Sequence, residues 1–351
     1  MKKTKILRNT FISVGVFFAF VQLLAAGRPT FVTFDPPGGP ARDMLPSGIN
    51  PSGTITGTYI TGFYPNPPVF HAFLREPDGT FTTLDPPGST GAYVGFFETP
   101  GGQQPINPAG AITGTYFDAS GVGRGFLRSA KGTITSFDPL GSTFTVPQSI
   151  NPAGAIAGLY YDASGAAHGF LRAPDGTFTS FDAPDGVGNS YGQGINSAGT
   201  IVGYYFDVDF NEHGFVRGSD GTITEFDPPG SVYTQPTGIN AAGTVTGFYY
   251  DENFVNHGFL RAGDGTFTTF DPPGSIGTFV GGINPSGSVT GYYYTDFFGY
   301  SFVRAPNGTI TAPIDVPGSP ATFAAAVNPA GVITGECSDA NGVQHGFVRI
   351  P

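Results

Sequence analysis

The chain has little of several residue types that usually point to a particular class of protein. It contains one cysteine among 351 residues, Cys337, and no tryptophan. A single cysteine excludes an internal disulfide framework and a cysteine-based metal site. Charged residues make up 12% of the chain, and acidic residues outnumber basic ones by 26 to 15. A chain this poor in Lys and Arg lacks the positive surface that nucleic acids and anionic membranes attract.

Long apolar runs are absent except near the N-terminus. Lys2, Lys3, Lys5 and Arg8 precede an apolar run over residues 11–26. This layout predicts a signal peptide over residues 1–27, and hence a secreted or periplasmic product. A membrane anchor is disfavoured because a spanning helix needs about 20 apolar residues. Removing the four basic residues of the signal from the total of 15 leaves 11 against 26 acidic residues, a net charge of −15. We expect the mature chain to have no membrane span.

Glycine, proline and aromatic residues are abundant, with 55 Gly, 32 Pro, 34 Phe and 16 Tyr. This many aromatic residues can build a core, which argues against a disordered chain. An Ile-Asn pair, once Val-Asn, recurs every 44 or 45 residues after one longer interval; its asparagines are Asn50, Asn107, Asn151, Asn196, Asn240, Asn284 and Asn328. Self-similarity at a fixed period predicts a repeat architecture.

Each copy of the repeat predicts four strands, which we call A to D. Strand A ends in Ile-Asn, and in the copy at Asn240 the others read GTVTGFYY, HGFLR and GTFTTFD. Turns of the type Asn-Pro-Ala-Gly predict an A–B hairpin, and Asp-Gly turns such as Asp175-Gly176 predict a C–D hairpin. A following Asp-Pro-Pro-Gly ends strand D, because proline cannot donate to a ladder.

Seven copies of a four-stranded meander predict an all-β, seven-bladed β-propeller with four antiparallel strands per blade. The last copy lacks strand D, and the segment Thr30 to Gly38 (TFVTFDPPG) has the sequence of one. We therefore expect residues 28–38 to form the outer strand of blade seven and to close the ring, within a single domain over residues 28–351. A parallel β-solenoid is the alternative. It is disfavoured because its coils do not need two tight hairpin turns per repeat.

The start of strand C carries a family resemblance. The motifs His71-Ala72-Phe73, His168-Gly169-Phe170, His213-Gly214-Phe215, His257-Gly258-Phe259 and His345-Gly346-Phe347, each after an Ile-Asn-x-x-Gly-x-(Ile/Val)-x-Gly run, resemble the HAF-type extracellular repeat. The second and sixth copies depart from it with Arg124 and Tyr300. The resemblance implies a bacterial extracellular protein and adds no activity.

The repeated polar residues favour structural roles. Equivalent histidines on different blades are too far apart to share an ion that needs bonds of about 2 Å. We expect the histidines to make structural hydrogen bonds. We expect the arginine ending strand C (Arg172) to pair with the aspartate ending strand D (Asp182). The asparagines are explained by the A–B turns that they begin. The segment 207–211 resembles a calcium loop but lacks the central Gly and distal Glu. No metal and no cofactor is predicted.

The largest departures from the repeat belong to the first blade, in its B–C loop (residues 60–70) and its crossover to the next blade (residues 89–105). They predict a rim of aromatic, carboxylate and amide groups, formed by Phe63, Tyr64, Tyr93, Phe96, Phe97, Glu98, Gln103 and Gln104. Loops on a rigid scaffold are where function concentrates. We therefore predict a monomeric, non-enzymatic binding module for a glycan or an extracellular protein.

Two alternatives to a binding module stay open. One is a propeller hydrolase or lyase that uses loop-borne acids such as Glu98 or Asp296. Strand A offers mainly Gly, Ser, Gln, Thr and Ala around the axis, and no phosphate loop, nucleophile elbow or zinc motif is present, so no catalytic residue is predicted. The other alternative is a purely structural surface protein.

Overall fold

The chain is all-β. A computed structural model describes residues 29–62, 65–95, 102–186, 188–296 and 298–351, and these contain 28 β-strands and no α-helix. Within these ranges there is consequently no helix of the length and apolarity that crossing a membrane requires. The predicted strand content is confirmed. The predicted signal peptide, residues 1–27, lies outside the described residues.

Four consecutive strands follow each other as a meander, and we name these sets units one to seven. The chain opens with β1 (Thr30–Phe34). Unit one consists of β2 (Asp43–Ile49), β3 (Ile55–Thr61), β4 (Val69–Arg75) and β5 (Phe81–Thr83). Unit two consists of β6 (Gly91–Tyr93), β7 (Ile112–Phe117), β8 (Gly123–Arg128) and β9 (Ile134–Phe137). Unit three consists of β10 (Phe144–Ile150), β11 (Ile156–Tyr161), β12 (Ala167–Arg172) and β13 (Phe178–Phe181).

The remaining units repeat this order. Unit four consists of β14 (Ser190–Ile195), β15 (Ile201–Phe206), β16 (Glu212–Arg217) and β17 (Ile223–Phe226). Unit five consists of β18 (Ser231–Ile239), β19 (Val245–Asp251), β20 (Asn256–Arg261) and β21 (Phe267–Phe270). Unit six consists of β22 (Gly277–Ile283), β23 (Val289–Thr295), β24 (Phe298–Arg304) and β25 (Ile310–Thr311). Unit seven consists of β26 (Ala321–Val327), β27 (Ile333–Ser338) and β28 (Gln344–Ile350), together with β1.

Hydrogen bonds join the strands into six sheets. Five contain four strands and one contains eight. The eight-stranded sheet consists of units four and five, which one parallel pair, Glu212 with Tyr233, connects. Within the units the pairing is antiparallel, and β1 pairs with β28 from Thr30–Ile350 to Phe34–Gly346. The N-terminal and C-terminal strands therefore lie side by side in one sheet.

The core lies between neighbouring sheets. The central Phe of every third strand is fully buried: Phe73, Phe126, Phe170, Phe215, Phe259, Phe302 and Phe347. Phe215 packs with Ile195 and Ile201 of its own unit and with Phe181 of unit three. Phe73 packs in the same way with Phe34, on β1. Burying such a side chain contributes roughly 1.5–3 kcal/mol, so the stability of each unit depends on its neighbours.

The second strand of each unit needs a glycine where the first strand bulges toward it. In unit four the register of β14 shifts between Gly192 and Gly194. A Cβ on Gly203 would lie 2.0 Å from the carbonyl oxygen of Tyr191 and 2.7 Å from the ring of Phe215. Only glycine permits this close approach of two backbones and a core ring.

Candidate functional site

Each unit has two ends, which we name by their connections. The A–B and C–D turns lie at the turn face, and the B–C loops and D–A crossovers lie at the loop face. The first strand of a unit runs from the loop face to its Asn at the turn face. The positions of the polar and aromatic residues described below are given relative to these two faces.

The histidines bind aspartates of their own repeat on the loop-face side of the third strand. In unit three, Nδ1 of His168 is 3.0 Å from Asp182, and Nε2 is 3.6 Å from Asp162. Arg124 takes this place in unit two, 3.1 Å from both Asp118 and Asp138. The histidines thus make the structural hydrogen bonds expected of them. In the described ranges no three His, Cys, Asp or Glu side chains are placed to hold a metal ion.

The predicted pairing of Arg172 with Asp182 is wrong. The guanidinium of Arg172 lies 4.9 Å above the ring centre of Phe137 in unit two, and Asp182 binds His168 instead. The register explains the difference, because Arg172 pairs with Phe178 at the turn end of the hairpin, whereas Asp182 follows the opposite end of strand D. Burial lowers the pKa of Arg172, and nearby Asp175 partly offsets this.

The asparagines connect neighbouring units on the turn face in addition to shaping their turns. Oδ1 of Asn151 accepts hydrogen bonds from the backbone N–H groups of Ala153 and Ala155, both at 3.0 Å. Nδ2 of the same side chain donates to the carbonyl oxygen of Asn196, 3.1 Å away in the next unit. Asn328 of unit seven donates likewise to the carbonyl oxygen of Asn50 in unit one, at 3.2 Å.

Residues from all seven units line one cavity of about 130 Å³ at the turn face. Its wall is mostly apolar because the residue before each asparagine faces it: Ile49, Ile106, Ile150, Ile195, Ile239, Ile283 and Val327. The first strands of the seven units therefore all end beside this one cavity, which we call the channel. Gln103 and Gln104 also line the cavity.

The segment at Gly102–Gln104 lies across this channel. Gln104 accepts a hydrogen bond from the N–H of Ile150 at 2.9 Å and donates through Nε2 to the carbonyl oxygen of Ile283 at 3.4 Å. A Cβ on Gly102 would lie 2.4 Å from the carbonyl oxygen of Thr237. The segment thus contacts units three, five and six.

Of the predicted rim, the structure describes Tyr93, Gln103 and Gln104, and it does not place these three together on the loop face. Tyr93 is buried in β6, paired with Thr115, and burial raises the pKa of its hydroxyl. The side chain of Gln103 is 2% exposed, and Gln104 lies in the channel. The other five predicted residues lie outside the described ones: Phe63, Tyr64, Phe96, Phe97 and Glu98. A ligand-binding role for these residues stays a prediction.

A different set of aromatic rings lies toward the loop face of units five to seven. We call it the aromatic row: Tyr233, Phe248, Tyr250, Phe254, Phe279, Tyr292, Tyr294 and Phe323. Successive ring centres are 5.0–6.2 Å apart, as between Phe279 and Tyr292 at 5.0 Å and Tyr294 and Phe323 at 6.2 Å. The exposed fraction reaches 37% at Tyr294 and 66% at Phe254.

Two exposed phenylalanines have backbone angles that side chains normally avoid. Phe210 and Phe254 have φ angles of 64° and 60°, at the loop position that Gly121, Gly165 and Gly342 occupy in other units. This region costs a residue with a Cβ roughly 1–2 kcal/mol. Phe210 is 74% exposed, so its ring gains little burial in return. Such strain on an exposed surface points to a role in contacts with other molecules.

Two carboxyl groups near the loop face are partly buried and have no ionic partner among the described residues. Burial raises the pKa of Glu212, at the start of β16, to about 8. Burial, assisted by the charge of Asp43, raises the pKa of Glu336 in β27 to about 7. Oε1 of Glu212 and Oε2 of Glu336 are enclosed and have no hydrogen-bond partner. Carboxyl groups held in this way are candidates for binding or proton transfer.

Comparison with known proteins identifies the fold. No protein-family model matches the chain, and no curated protein is similar to it in sequence. Among solved structures, streptogramin B lyase is 15% identical, with 91% of this chain and 97% of that chain covered and a TM-score of 0.53. The β-propeller domain of the trilobed protease from Pyrococcus furiosus is 10% identical, with 88% and 95% covered and a TM-score of 0.60. The chain has a β-propeller fold.

A further similar structure is a catalytically inactive virginiamycin B lyase from Staphylococcus aureus, solved with quinupristin. It is 15% identical, with 92% of this chain and 100% of that chain covered and a TM-score of 0.53. Identities this low show the fold alone, because one fold supports many unrelated functions.

Sequence reasoning missed the aromatic row, Phe210 and Glu336, although an alignment of the seven copies of the repeat would have shown that these residues depart from the other copies. Phe210 and Phe254 stand where other copies of this propeller have glycine. Glu336 lies at the position of the second strand that Leu159, Phe248 and Tyr292 occupy in units three, five and six. Single substitutions within a repeat are therefore as informative here as the long insertions of the first unit.

Proposed function

We propose that the chain is an exported, seven-bladed propeller that binds a glycan or an extracellular protein on its loop face. The seven units would be the blades, and β1 would close the ring by completing the sheet of unit seven. The common cavity lined by all seven units and the hydrogen bond from Asn328 to Asn50 support a closed ring. The N-terminal signal sequence and the resemblance to HAF-type repeats support export.

The aromatic row is the observation that carries this proposal. It is a continuous line of rings across three units, and it opens to solvent at Tyr294 and Phe254. Rings held by a rigid scaffold offer a large contact area at little entropic cost. Asp251, next to Tyr250 in the chain, places a carboxylate at the adjoining B–C loop, where it accepts hydrogen bonds from the backbone of that loop. Apolar faces flanked by acceptors suit sugar rings and peptide side chains.

Binding to a glycan array and to a panel of extracellular proteins tests the proposal. The double variant Tyr294→Ala and Phe254→Ala should lose at least about tenfold in affinity, because contact aromatics carry most of the energy of such sites. Leu140→Ala is the matched control, since Leu140 is fully exposed in the crossover after unit two and lies outside the row. Equal affinity of the double variant and the control would refute this site.

A propeller hydrolase or lyase is a second candidate, favoured by the enclosed carboxyl groups of Glu212 and Glu336. A carboxyl group with a pKa near neutrality can act as a general acid or base at physiological pH. If a bound ligand is turned over, Glu212→Gln or Glu336→Gln should abolish turnover while leaving ligand binding measurable. A ligand that is bound and recovered unchanged by the wild-type protein would favour the binding module.

A further inference from the structure

Glu336 occupies an unusual position for a carboxylate. It lies in β27, paired across the sheet with Phe323 on one side and Gly346 on the other. β2 of unit one packs against β27, and the equivalent position holds Leu159 in unit three and Phe248 in unit five. An apolar residue of similar size would fit this space between two units. A carboxylate there costs folding free energy unless a partner stabilises its charge.

The groups around Glu336 supply no such partner. Asp43 of β2 is close enough to raise its pKa. Burial raises the pKa of Tyr292 and Tyr294 of β23 and of the adjacent Cys337, and the charge of Glu336 adds to the rise at each. Arg42 forms its ion pair with Asp43 at 3.6 Å and is half exposed. No Lys, Arg or His of the described chain forms an ion pair with Glu336.

Aromatic rings border the same place. The ring centres of Tyr292 and Tyr294 lie 5.0 and 6.2 Å from that of Phe323, the cross-strand neighbour of Glu336. Tyr294 is 37% exposed, so a ligand reaches this end of the row from the loop face. The negative faces of aromatic rings together with a carboxylate form the kind of site that binds organic cations.

We propose that Glu336, Tyr292, Tyr294 and Phe323 form a subsite for an organic ammonium group, either a protonated amine or a quaternary ammonium. This assignment rests on the proposed binding function of the aromatic row and names the chemistry of its ligand. The ammonium cation provides the positive charge that no side chain of the described residues provides to Glu336. The alkyl groups of the cation contact the aromatic rings. Binding shifts Glu336 to its ionised form, so a proton leaves the carboxyl group for the solvent.

Calorimetric titration of the full mature chain with choline and with 3,3-dimethylbutan-1-ol, its uncharged isostere, tests the subsite. Choline should bind more tightly at pH 8 than at pH 6. The expected ratio is about tenfold, which is the ratio of ionised fractions for a group with a pKa near 7. At pH 6 its binding heat should differ between phosphate and MES buffers, which have different enthalpies of ionisation, because the released proton is taken up by the buffer. The uncharged isostere should show neither effect.

Glu336→Gln keeps the size of the side chain and removes its charge. It should lower choline affinity at pH 8 by about tenfold and abolish both the pH dependence and the proton release. Glu252→Gln is the matched control, because Glu252 is exposed in a loop at the same face and its loss changes the net charge equally. Tyr294→Leu, which removes a ring and retains apolar volume, should also weaken choline binding and leave proton release intact.

Three outcomes would overturn the subsite: no binding of choline, equal binding of choline and its isostere, or equal behaviour of Glu336→Gln and Glu252→Gln. The test separates this inference from the proposed function. If the double variant Tyr294→Ala and Phe254→Ala loses glycan or protein binding while choline results are negative, the aromatic row binds a ligand without an ammonium group. If that double variant binds normally, the binding site itself is wrong.

Discussion

Single arginines fix neighbouring units to each other by covering an aromatic ring. The guanidinium carbon lies 4.8–5.1 Å from a ring centre of the preceding unit in five cases, Arg75, Arg172, Arg217, Arg261 and Arg304. The rings belong to the phenylalanine that ends strand D. In the units before Arg128 and Arg349, Leu84 and Ile314 stand before the aspartate in place of this phenylalanine, so no ring is present for these two arginines to cover. The sequence of one unit thus determines the environment of the arginine in the next.

This difference gives a matched test of the arginine–ring contact. Arg172→Met should lower the free energy of unfolding by about 1 kcal/mol more than Arg128→Met, because only Arg172 covers a ring. Both arginines also donate to the carbonyl oxygen of the following residue, so that loss is common to the two variants. Urea unfolding monitored by tyrosine fluorescence measures the difference. Equal destabilisation would mean that the ring contact contributes nothing.

At the scale of strands and turns, local chemistry made most elements predictable. Asn-Pro-Ala-Gly and Asp-Gly specify their own turn geometry, and the strands between them are the only segments of suitable length and composition. Contacts between units were not predictable in this way. The inter-unit hydrogen bond of Asn151 and the position of Gln104 in the channel depend on how the sheets are arranged in space. A local sequence pattern carries no information about that arrangement. The Arg172–Asp182 error was avoidable, because the Asp-Gly turn already sets the register of its hairpin.

The inter-unit role of the asparagines can be tested separately from their turns. Asn151→Asp keeps an oxygen for the turn and removes the Nδ2 donor to Asn196. Asn240→Asp is the control, because Asn240 makes the same turn bonds and has no such bond to the next unit within the described chain. Asn151→Asp should be about 1 kcal/mol more destabilising in thermal or urea unfolding. If both variants lose equal stability, the donor to the next unit is unimportant.

At the scale of the whole molecule, β1 connects the two ends of the chain. Phe34 packs against Phe73 of unit one at 6.2 Å, and its ring lies under Arg75 at 4.8 Å. Asp35 binds His345 of unit seven at 2.8 Å. The strand therefore supplies unit seven with its fourth strand and supplies unit one with the ring contact that units three to six receive from their predecessors. In the proposed closed ring, the weakest point is where the chain is not continuous.

Deleting residues 28–38 from the mature chain should lower the melting temperature sharply. Loss of a buried ring such as that of Phe34 alone costs about 3–5 kcal/mol, and the deletion also exposes the edge of β28 and one face of unit one. The intact chain from residue 28 is the reference, and Phe34→Ala should give an intermediate melting temperature because it keeps the strand and removes the ring. An unchanged melting curve for the deletion would show that units one and seven hold together without β1, and the proposed closure of the ring by this strand would then be wrong.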